Sequence, residues 1–509
     1  MPEKKILLNK NLRSRVSSSI FWSALKLFTS RLFIILQLII LARILMPEDF
    51  GFFAVAILVY SFVESISYTG FNQALIYLKS YDDYHLNTLF FVNIVRGVIL
   101  SALMLMLAYP AVLILDEHDA YQYILGLAIT PLITSLHNPG LIAFQKNLDL
   151  QPELYFHMSG VVLSLICSVF VAILYPTPWA LVVGVIAQQF GQLIASYYLH
   201  SFRPKFHFDL NSFKPMMRFG KWVIVSQILK YFATSIPAWT IGSLGGIQAL
   251  GLYRVSGRLS EALGRDFSKM ISSVIFPSFS FLQDSKKKLG EVYYSSQRLI
   301  AATSFLLFGL LATAPDRFVY VFLGEKWEGA VEFVFLLSIL SLIQNVGSQV
   351  EVIKASGNTR FLAMIVLVRA VFIVITVYPA VLINGVNGAI YVVILSALIT
   401  FPISMVQVVR FTQTKITMLI RIYSPPFFSL GLMYYLGYEL DNFLVLRFGE
   451  LSSQRYVLFV YVIMLLCACY ITSLFVLDKL VRGGIFQEFS GLINKRKGRN
   501  GRQWTGNEG

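Results

Sequence analysis

Apolar runs long enough to cross a bilayer recur along the whole chain, and they constrain its fold more than any other feature. A membrane-spanning helix needs about 20 mainly apolar residues. Apolar residues make up 56% of the 509 residues and charged residues only 14%, a charged fraction well below that of soluble domains. The sequence therefore predicts an all-α polytopic membrane protein and excludes both a soluble enzyme and a disordered chain.

A scan for apolar runs of at least about 18 residues predicts fourteen spanning helices. The approximate limits of the runs are residues 18–45, 49–72, 86–115, 120–143, 154–175, 178–200, 218–243, 250–282, 296–322, 328–353, 361–384, 387–409, 417–438 and 456–478. The thirteenth run is the weakest because Pro425 and Pro426 interrupt it. Twelve helices are the alternative count.

Lysine and arginine are distributed unevenly between the segments that connect the runs. The chain has 42 of them against 27 acidic residues, a formal net charge of +15. With the N-terminus in the cytoplasm, 27 of the 42 fall on cytoplasmic segments and five on the opposite side, as the positive-inside rule requires. This bias predicts an even number of spans, both termini in the cytoplasm, and no nucleic-acid partner.

The two halves of the chain resemble one another. Residues 44–65 and 243–264 both contain a small turn, then Gly51 or Gly251 followed by aromatic residues. A repeat of six spans predicts two six-helix lobes around a central cavity, and chance similarity between apolar helices is the alternative. The predicted parts are an N-lobe over 1–200, a cytoplasmic linker over 201–217, a C-lobe over 218–410, additional spans over 411–480 and a basic cytoplasmic tail over 481–509.

Ionisable residues inside the runs are concentrated in spans one, two, seven and eight. A charge at mid-bilayer costs about 2.5–3.5 kcal/mol on insertion scales, so such residues face a cavity or a partner. In the eighth run, Arg254, Arg258 and Glu261 lie on one stripe of a helix,. We predict a cationic cavity that favours an anion, formed by Lys26, Arg31, Lys230, Arg254 and Arg258. The alternative for each charge is a structural ion pair or a side chain that reaches the membrane surface.

Several segments of the chain resemble the bacterial lipid-linked oligosaccharide flippases. They are LARILMPEDFGFFAVA at 41–56, GFNQALI at 70–76, NPGLIAFQKNLDL at 138–150 and IQALGLYRVSGRLSEAL at 247–263. The resemblance covers residues 15–410 or so and is to exporters of O-antigen and colanic-acid-type repeat units. These belong to the polysaccharide transporter family of the multidrug/oligosaccharidyl-lipid/polysaccharide superfamily.

The resemblance implies a substrate, a direction of transport and a set of partners. The substrate would be undecaprenyl diphosphate carrying a sugar repeat unit, moved from the cytoplasmic to the periplasmic leaflet by alternating access. Membrane lipids, a polysaccharide polymerase and glycosyltransferases are the other implied partners. The basic residues agree with this chemistry, because arginine and lysine bind diphosphates well.

Further roles follow from the residue types. Aromatic and amide groups suit a sugar, and the predicted sugar contacts are Trp22, Tyr60, Tyr68, Gln227 and Tyr253. Glu64 and Glu261 are the acids predicted either to couple an ion or to neutralise basic neighbours. No GxxxxGK(S/T) segment occurs in the sequence, so no ATPase is built in. No cofactor and no metal site is predicted.

Two other functions stay open. A multidrug or metabolite antiporter of the same superfamily often takes cationic substrates, so its cavity would contain more acids than bases, whereas bases outnumber acids here. A membrane polysaccharide polymerase or glycosyltransferase would need a large outside loop with catalytic residues, and the outside connections of this chain are short. A transporter without enzymatic activity is therefore favoured.

Overall fold

The computed structural model describes residues 2–67, 70–77, 81–147, 149–281, 286–346, 359–413, 415–448 and 455–481. Within these ranges the chain forms helices and no strand. The α-helices are α1 (Pro2–Ile44), α2 (Pro47–Ser67), α3 (Phe71–Tyr77), α4 (Asp83–Leu115), α5 (Tyr121–Leu127), α6 (Thr130–Ser135), α7 (Ile142–Lys146), α8 (Gln151–Leu174), α9 (Trp179–Leu199), α10 (Leu210–Phe281), α11 (Lys286–Thr313), α12 (Pro315–Phe318), α13 (Val331–Val346), α14 (Thr359–Thr412), α15 (Ile416–Phe448) and α16 (Arg455–Val481). The predicted all-α class is confirmed.

Among the described residues, nine helices are long and apolar enough to cross a membrane. The number is ten if the bent pair His118–Ser135 and Pro139–Lys146 forms a single span. One of the nine, Met364–Thr412, has 49 residues. At 1.5 Å per residue this is about 74 Å of helix, more than twice the thickness of a bilayer's hydrocarbon core. The multi-pass membrane protein is confirmed, whereas the total of fourteen spans stays a prediction.

Two glycines break the longest helices where the sequence predicts boundaries between spans. α10 is interrupted at Gly246, with φ of 80°, and α14 is interrupted at Asn384 and Gly385, where Gly385 has φ of 62°. Glycine adopts positive φ without steric cost because it has no Cβ. A Cβ on Gly388 would meet the carbonyl of Ala380, so the chain turns back on itself at the α14 break. The predicted runs seven and eight, and eleven and twelve, are therefore separate helical arms.

Spatial proximity divides the chain into two compact units. The first comprises residues 1–259, 323–333 and 363–396, and the second comprises residues 260–322, 334–362 and 397–509. These units follow the spatial proximity of residues in the folded chain, whereas the lobe boundaries at 200, 218 and 410 follow a repeat in the sequence. The lobe boundaries stay a prediction, and the tail from residue 482 onward lies outside the described residues.

The first half of the predicted linker is held against α4 in the first unit. Residues 201–209 are non-helical, and α10 begins inside the predicted linker. The backbone N–H of Lys205 donates to Asn87 Oδ1 at 2.7 Å, and that of Asp209 donates to Thr88 Oγ1 at 3.0 Å. Buried polar side chains of α4 thus satisfy backbone donors that no regular element would satisfy.

Polar contacts also connect the helices of the second unit. The Tyr470 hydroxyl in α16 donates to the Ala302 carbonyl of α11 at 2.9 Å. Asn345 Nδ2 in α13 donates to Ser304 Oγ of α11 at 2.7 Å. Because buried polar groups need hydrogen-bond partners in an apolar environment, these contacts define how α13 and α16 pack on α11.

Candidate functional site

The polar face of α1 packs against α8 in the first unit. Gln37 Nε2 donates to Ser168 Oγ at 2.8 Å and to Ser164 Oγ at 3.1 Å, and both serines are buried. About three turns nearer to the N-terminus of α1, Lys26 Nζ lies 2.9 Å from Glu153 Oε1 of α8. The face that the sequence predicts to line a cavity is therefore a contact between two helices along these residues.

The side chains around Lys26 contact one and the same carboxylate oxygen. Glu153 Oε1 accepts from Lys26 Nζ at 2.9 Å and from Gln145 Nε2 of α7 at 3.3 Å. His157 Nε2, one turn further along α8, lies 3.7 Å from the same oxygen. The Lys26 and Glu153 side chains are 20% and 16% exposed, so the ion pair is partly open to its surroundings. The anion-binding role predicted for Lys26 stays a prediction.

The sequence analysis missed Glu153. The residue lies in the first turn of α8, 127 positions after Lys26, and just before the predicted run 154–175, so it was not among the charges inside the runs. The available signal was the polar face of α1, since a lysine in an apolar helix needs a counter-ion. The sequence could not say which helix supplies that counter-ion.

Glu64 is paired in the structure as well. Arg96 Nη2 of α4 donates to Glu64 Oε2 of α2 at 2.5 Å, and Arg96 Nε donates to Ser67 Oγ at 3.0 Å. Tyr60, one turn before Glu64, interacts electrostatically with both charges. The geometry corresponds to the ion-pair alternative for Glu64. Ion coupling by Glu64 and sugar binding by Tyr60 stay predictions.

Most of the predicted cations are on α10. Lys230, in the arm before the Gly246 break, is exposed, and so is Arg258 in the arm after the break. Arg254, one turn before Arg258, is half-buried. Both arms of α10 therefore carry exposed cations, with Lys214 and Lys230 before the break and Arg258 after it. This is the chemistry that an anionic headgroup requires.

Both arms of α10 contact α2 in the first unit. The Tyr231 hydroxyl donates to the Leu58 carbonyl of α2 at 3.0 Å. The guanidinium carbon of Arg258 lies 5.9 Å from the centroid of the Phe53 ring in α2, within the range of a cation–π interaction. α2 thus positions the residues that precede and follow the break.

Five of the remaining predicted site residues are in α1 and α10. They are half-buried where the structure describes them: Trp22, Arg31, Gln227, Tyr253 and Glu261. The Trp22 ring packs edge to face on Phe21 with centroids 5.5 Å apart. Tyr68 lies outside the described residues. The roles of these six residues stay predictions.

The two glycines related by the sequence repeat are close to one another. A Cβ on Gly251 would meet the Pro47 carbonyl of α2, and a Cβ on Gly51 would meet the Ile247 carbonyl of α10. α2 and α10 therefore touch backbone to backbone at this end of the first unit, as small residues permit between membrane helices. The repeat marks both positions in the sequence but does not reveal that they contact each other.

A short turn before α13 caps the C-terminus of α1 at the same end. Trp327 is fully buried, and its Nε1–H donates to the Ala42 carbonyl at 2.8 Å. Lys326 Nζ donates to the Arg43 carbonyl at 3.0 Å. The last four carbonyls of a helix lack partners within the helix, and a cation there also interacts favourably with the helix dipole. No sequence pattern described above marks Trp327.

An acidic residue caps the start of the second arm of α10, where backbone N–H groups need acceptors. Glu117 follows α4 and accepts a hydrogen bond from the backbone N–H of Ile247. That N–H comes directly after the Gly246 break, where a helix has unpaired donors. Burial raises the pKa of Glu117, and the hydrogen bond from Ile247 opposes the rise. The end of α4 is thereby attached to the α10 break.

Comparisons with known proteins agree with this architecture. The family model described as "Polysaccharide biosynthesis protein" matches residues 40–332. The lipopolysaccharide biosynthesis protein WzxC of Escherichia coli strain K12 is 24% identical over 67% of this chain and 70% of its own length. The succinoglycan biosynthesis transport protein ExoT of Rhizobium meliloti strain 1021 is 24% identical over 65% of this chain and 67% of its own. The solved structure of the lipid II flippase MurJ, in an inward closed conformation, has a TM-score of 0.68 and 13% identity, covering 91% of this chain and 100% of that one. At this identity the structural likeness describes the fold.

Proposed function

Because the chain belongs to the polysaccharide biosynthesis protein family, we propose that it is a flippase for a lipid-linked oligosaccharide used in surface polysaccharide synthesis. Two relatives support this function by name, one in lipopolysaccharide biosynthesis and one in succinoglycan transport. The observation that carries the proposal is the pair of exposed cations, Lys230 and Arg258, on the two arms of α10.

The proposed substrate is undecaprenyl diphosphate that carries a sugar repeat unit. Its diphosphate would bind the cations of α10, where the low dielectric of the surroundings strengthens the attraction. Its polyprenyl tail stays in lipid, and aromatic and amide side chains such as Trp22, Tyr60 and Gln227 contact the sugar. The protein has both termini in the cytoplasm of the inner membrane and moves the headgroup to the periplasmic leaflet by alternating access.

The proposal predicts how substitutions of Arg258 change transport. Losing one hydrogen-bonded charge partner costs about 1.5–3 kcal/mol, so Arg258→Ala should slow export about ten- to a hundredfold. Arg258→Lys should recover part of the loss, because an ammonium group cannot bind two phosphate oxygens at once. The measurement is surface polysaccharide in a strain that lacks its own flippase, normalised to the amount of protein in the membrane.

Arg410→Ala is the matched control, since Arg410 is an exposed arginine in the last turn of α14 and is not one of the predicted site residues. It should export normally. Normal export by both Arg258→Ala and Lys230→Ala at equal abundance would contradict the proposal. Proteoliposomes loaded with a fluorescent lipid-linked oligosaccharide test it directly. Uptake of cationic drugs without movement of that lipid would instead favour the antiporter.

A further inference from the structure

Three nitrogen-bearing side chains surround one oxygen of Glu153. Lys26 Nζ and Gln145 Nε2 lie 2.9 and 3.3 Å from Oε1, and His157 Nε2 lies 3.7 Å away. The three groups come from α1, α7 and α8. A lysine, an amide and a histidine that converge on one point form an anion site. In this structure the anion is a carboxylate of the protein itself.

The carboxylate lies nearer to the end of its helix than the lysine does. Glu153 is in the first turn of α8, where the helix begins and the chain before it is non-helical. Lys26 is in the middle of α1. His157, four residues after Glu153 on the same helix, gives the carboxylate a partner that stays with it when it moves away from Lys26,.

Lys26 and Glu153 both lie near the start of the apolar part of their helices. The apolar part of α1 begins at Phe21, and Lys26 lies five residues further on, about 7.5 Å along the helix axis. The diphosphate of a polyprenyl lipid lies at this boundary between headgroups and hydrocarbon. It also has more negative charge and more acceptor oxygens than a carboxylate, so it can compete for the same donors.

We propose that Glu153 is an internal competitor for the substrate: its carboxylate occupies the anion site of Lys26, Gln145 and His157 until the diphosphate of the lipid-linked substrate displaces it. This inference rests on the flippase function proposed above. The competition weakens binding of the substrate and helps its release, because the Glu153 carboxylate forms its ion pair with Lys26 again as the diphosphate leaves. A site without such a competitor would hold the headgroup for longer and slow each transport cycle.

The test measures binding of farnesyl diphosphate to the purified full-length protein in detergent, by isothermal titration calorimetry. Glu153→Gln should bind the probe about three- to tenfold more tightly than the wild type, the range expected when a partly exposed ion pair no longer competes. Glu153→Asp, which retains the charge on a shorter side chain, should fall between the two. Inorganic pyrophosphate should displace the probe, whereas phosphatidylglycerol should not.

Asp149→Asn is the matched control, because Asp149 is an exposed acid just before α8 and its loss changes the local charge equally. It should bind like the wild type. The double variant Lys26→Gln/Glu153→Gln removes both charges and should lose the gain in affinity. In the export assay Glu153→Gln should be slower than the wild type despite its tighter binding.

The outcomes separate this inference from the flippase proposal. If the wild type binds and exports but Glu153→Gln and Glu153→Asp bind the probe no more tightly, the internal competitor is wrong and the flippase stands. If Glu153→Gln fails to reach the membrane, Glu153→Asp replaces it in the test. Tighter binding by Glu153→Asp than by the wild type supports the internal competitor, and equal binding contradicts it. If the wild type neither binds the probe nor exports, the proposed function itself fails.

Discussion

At the scale of single residues, two ion pairs connect neighbouring apolar helices. Arg96 of α4 forms an ion pair with Glu64 of α2, and Glu153 of α8 forms one with Lys26 of α1. Removing one member of such a pair leaves a charge without its partner in apolar surroundings. Removing both members avoids that cost.

Substitutions of Glu64 and Arg96 test this rule. Glu64→Gln should lower the free energy of unfolding by about 1–3 kcal/mol, because it leaves Arg96 with a weaker acceptor. The double variant Glu64→Gln/Arg96→Gln should regain most of the loss. Thermal unfolding of the detergent-purified protein measures both, and Glu328→Gln, an exposed acid, is the control with no expected change.

The same double variant tests ion coupling by Glu64. If it is as stable as the wild type but its transport no longer responds to a proton or sodium gradient, Glu64 couples the ion. If its gradient dependence is unchanged, Glu64 is a structural counter-ion of Arg96. The ion-pair explanation would be contradicted if the double variant lost as much free energy of unfolding as the Glu64→Gln and Arg96→Gln single variants lose in sum.

At the scale of helices, the end of the first unit near Gly51 is closed by three separate contacts. α2 and α10 cross at two glycines, Trp327 caps α1, and Glu117 caps the second arm of α10. Each contact supplies a helix terminus with a hydrogen-bond partner or permits a close approach of backbones. An alternating-access cycle that opens this end must break these contacts, so we expect substitutions here to change stability.

Trp327 is the best position to test this closure. Trp327→Phe retains an aromatic ring against Phe50 but removes the hydrogen bond to Ala42, and should cost about 0.5–1.5 kcal/mol. Trp327→Ala should cost about 3–5 kcal/mol, because it also leaves a cavity. The measurement is again thermal unfolding, with binding of farnesyl diphosphate as a test of correct folding.

Trp179→Phe is the matched control for Trp327→Phe. The Trp179 ring packs against Tyr123 with centroids 5.5 Å apart, and its N–H forms no hydrogen bond within the described part of the chain. Equal losses for the two substitutions would mean that the Ala42 contact contributes nothing. A larger loss for Trp327→Phe supports the cap.

At the scale of the whole molecule, the charge bias of the connections predicts the orientation of the chain. Fusions of a reporter to Gly509 and within residues 201–215 should report the cytoplasm, and a fusion at Asp119 should report the periplasm. The physical reason is that lysine- and arginine-rich segments are retained on the cytoplasmic side. Paired phosphatase and fluorescent-protein fusions at each site provide the measurement, and a periplasmic signal from Gly509 would contradict the even number of spans.

The sequence by itself determined the membrane class and the approximate positions of many helices, and it predicted the residues of the candidate site. Apolar length decides where a helix can span, so most runs correspond to helices of the structure, and the divisions at Gly246 and Gly385 coincide with predicted boundaries. The opening segments also carried the family resemblance that the match over residues 40–332 confirms. These features are local, because periodicity, charge and glycine act over a few turns of chain.

Only the tertiary structure decided which residues meet. Lys26 and Glu153 are 127 positions apart, and Trp327 reaches Ala42 across 285 positions. In a membrane every helix exposes similar apolar side chains, so hydrophobicity does not specify its neighbours. Specificity comes from the few polar groups and small residues that match across a contact, and their partners are known only when the helices are packed.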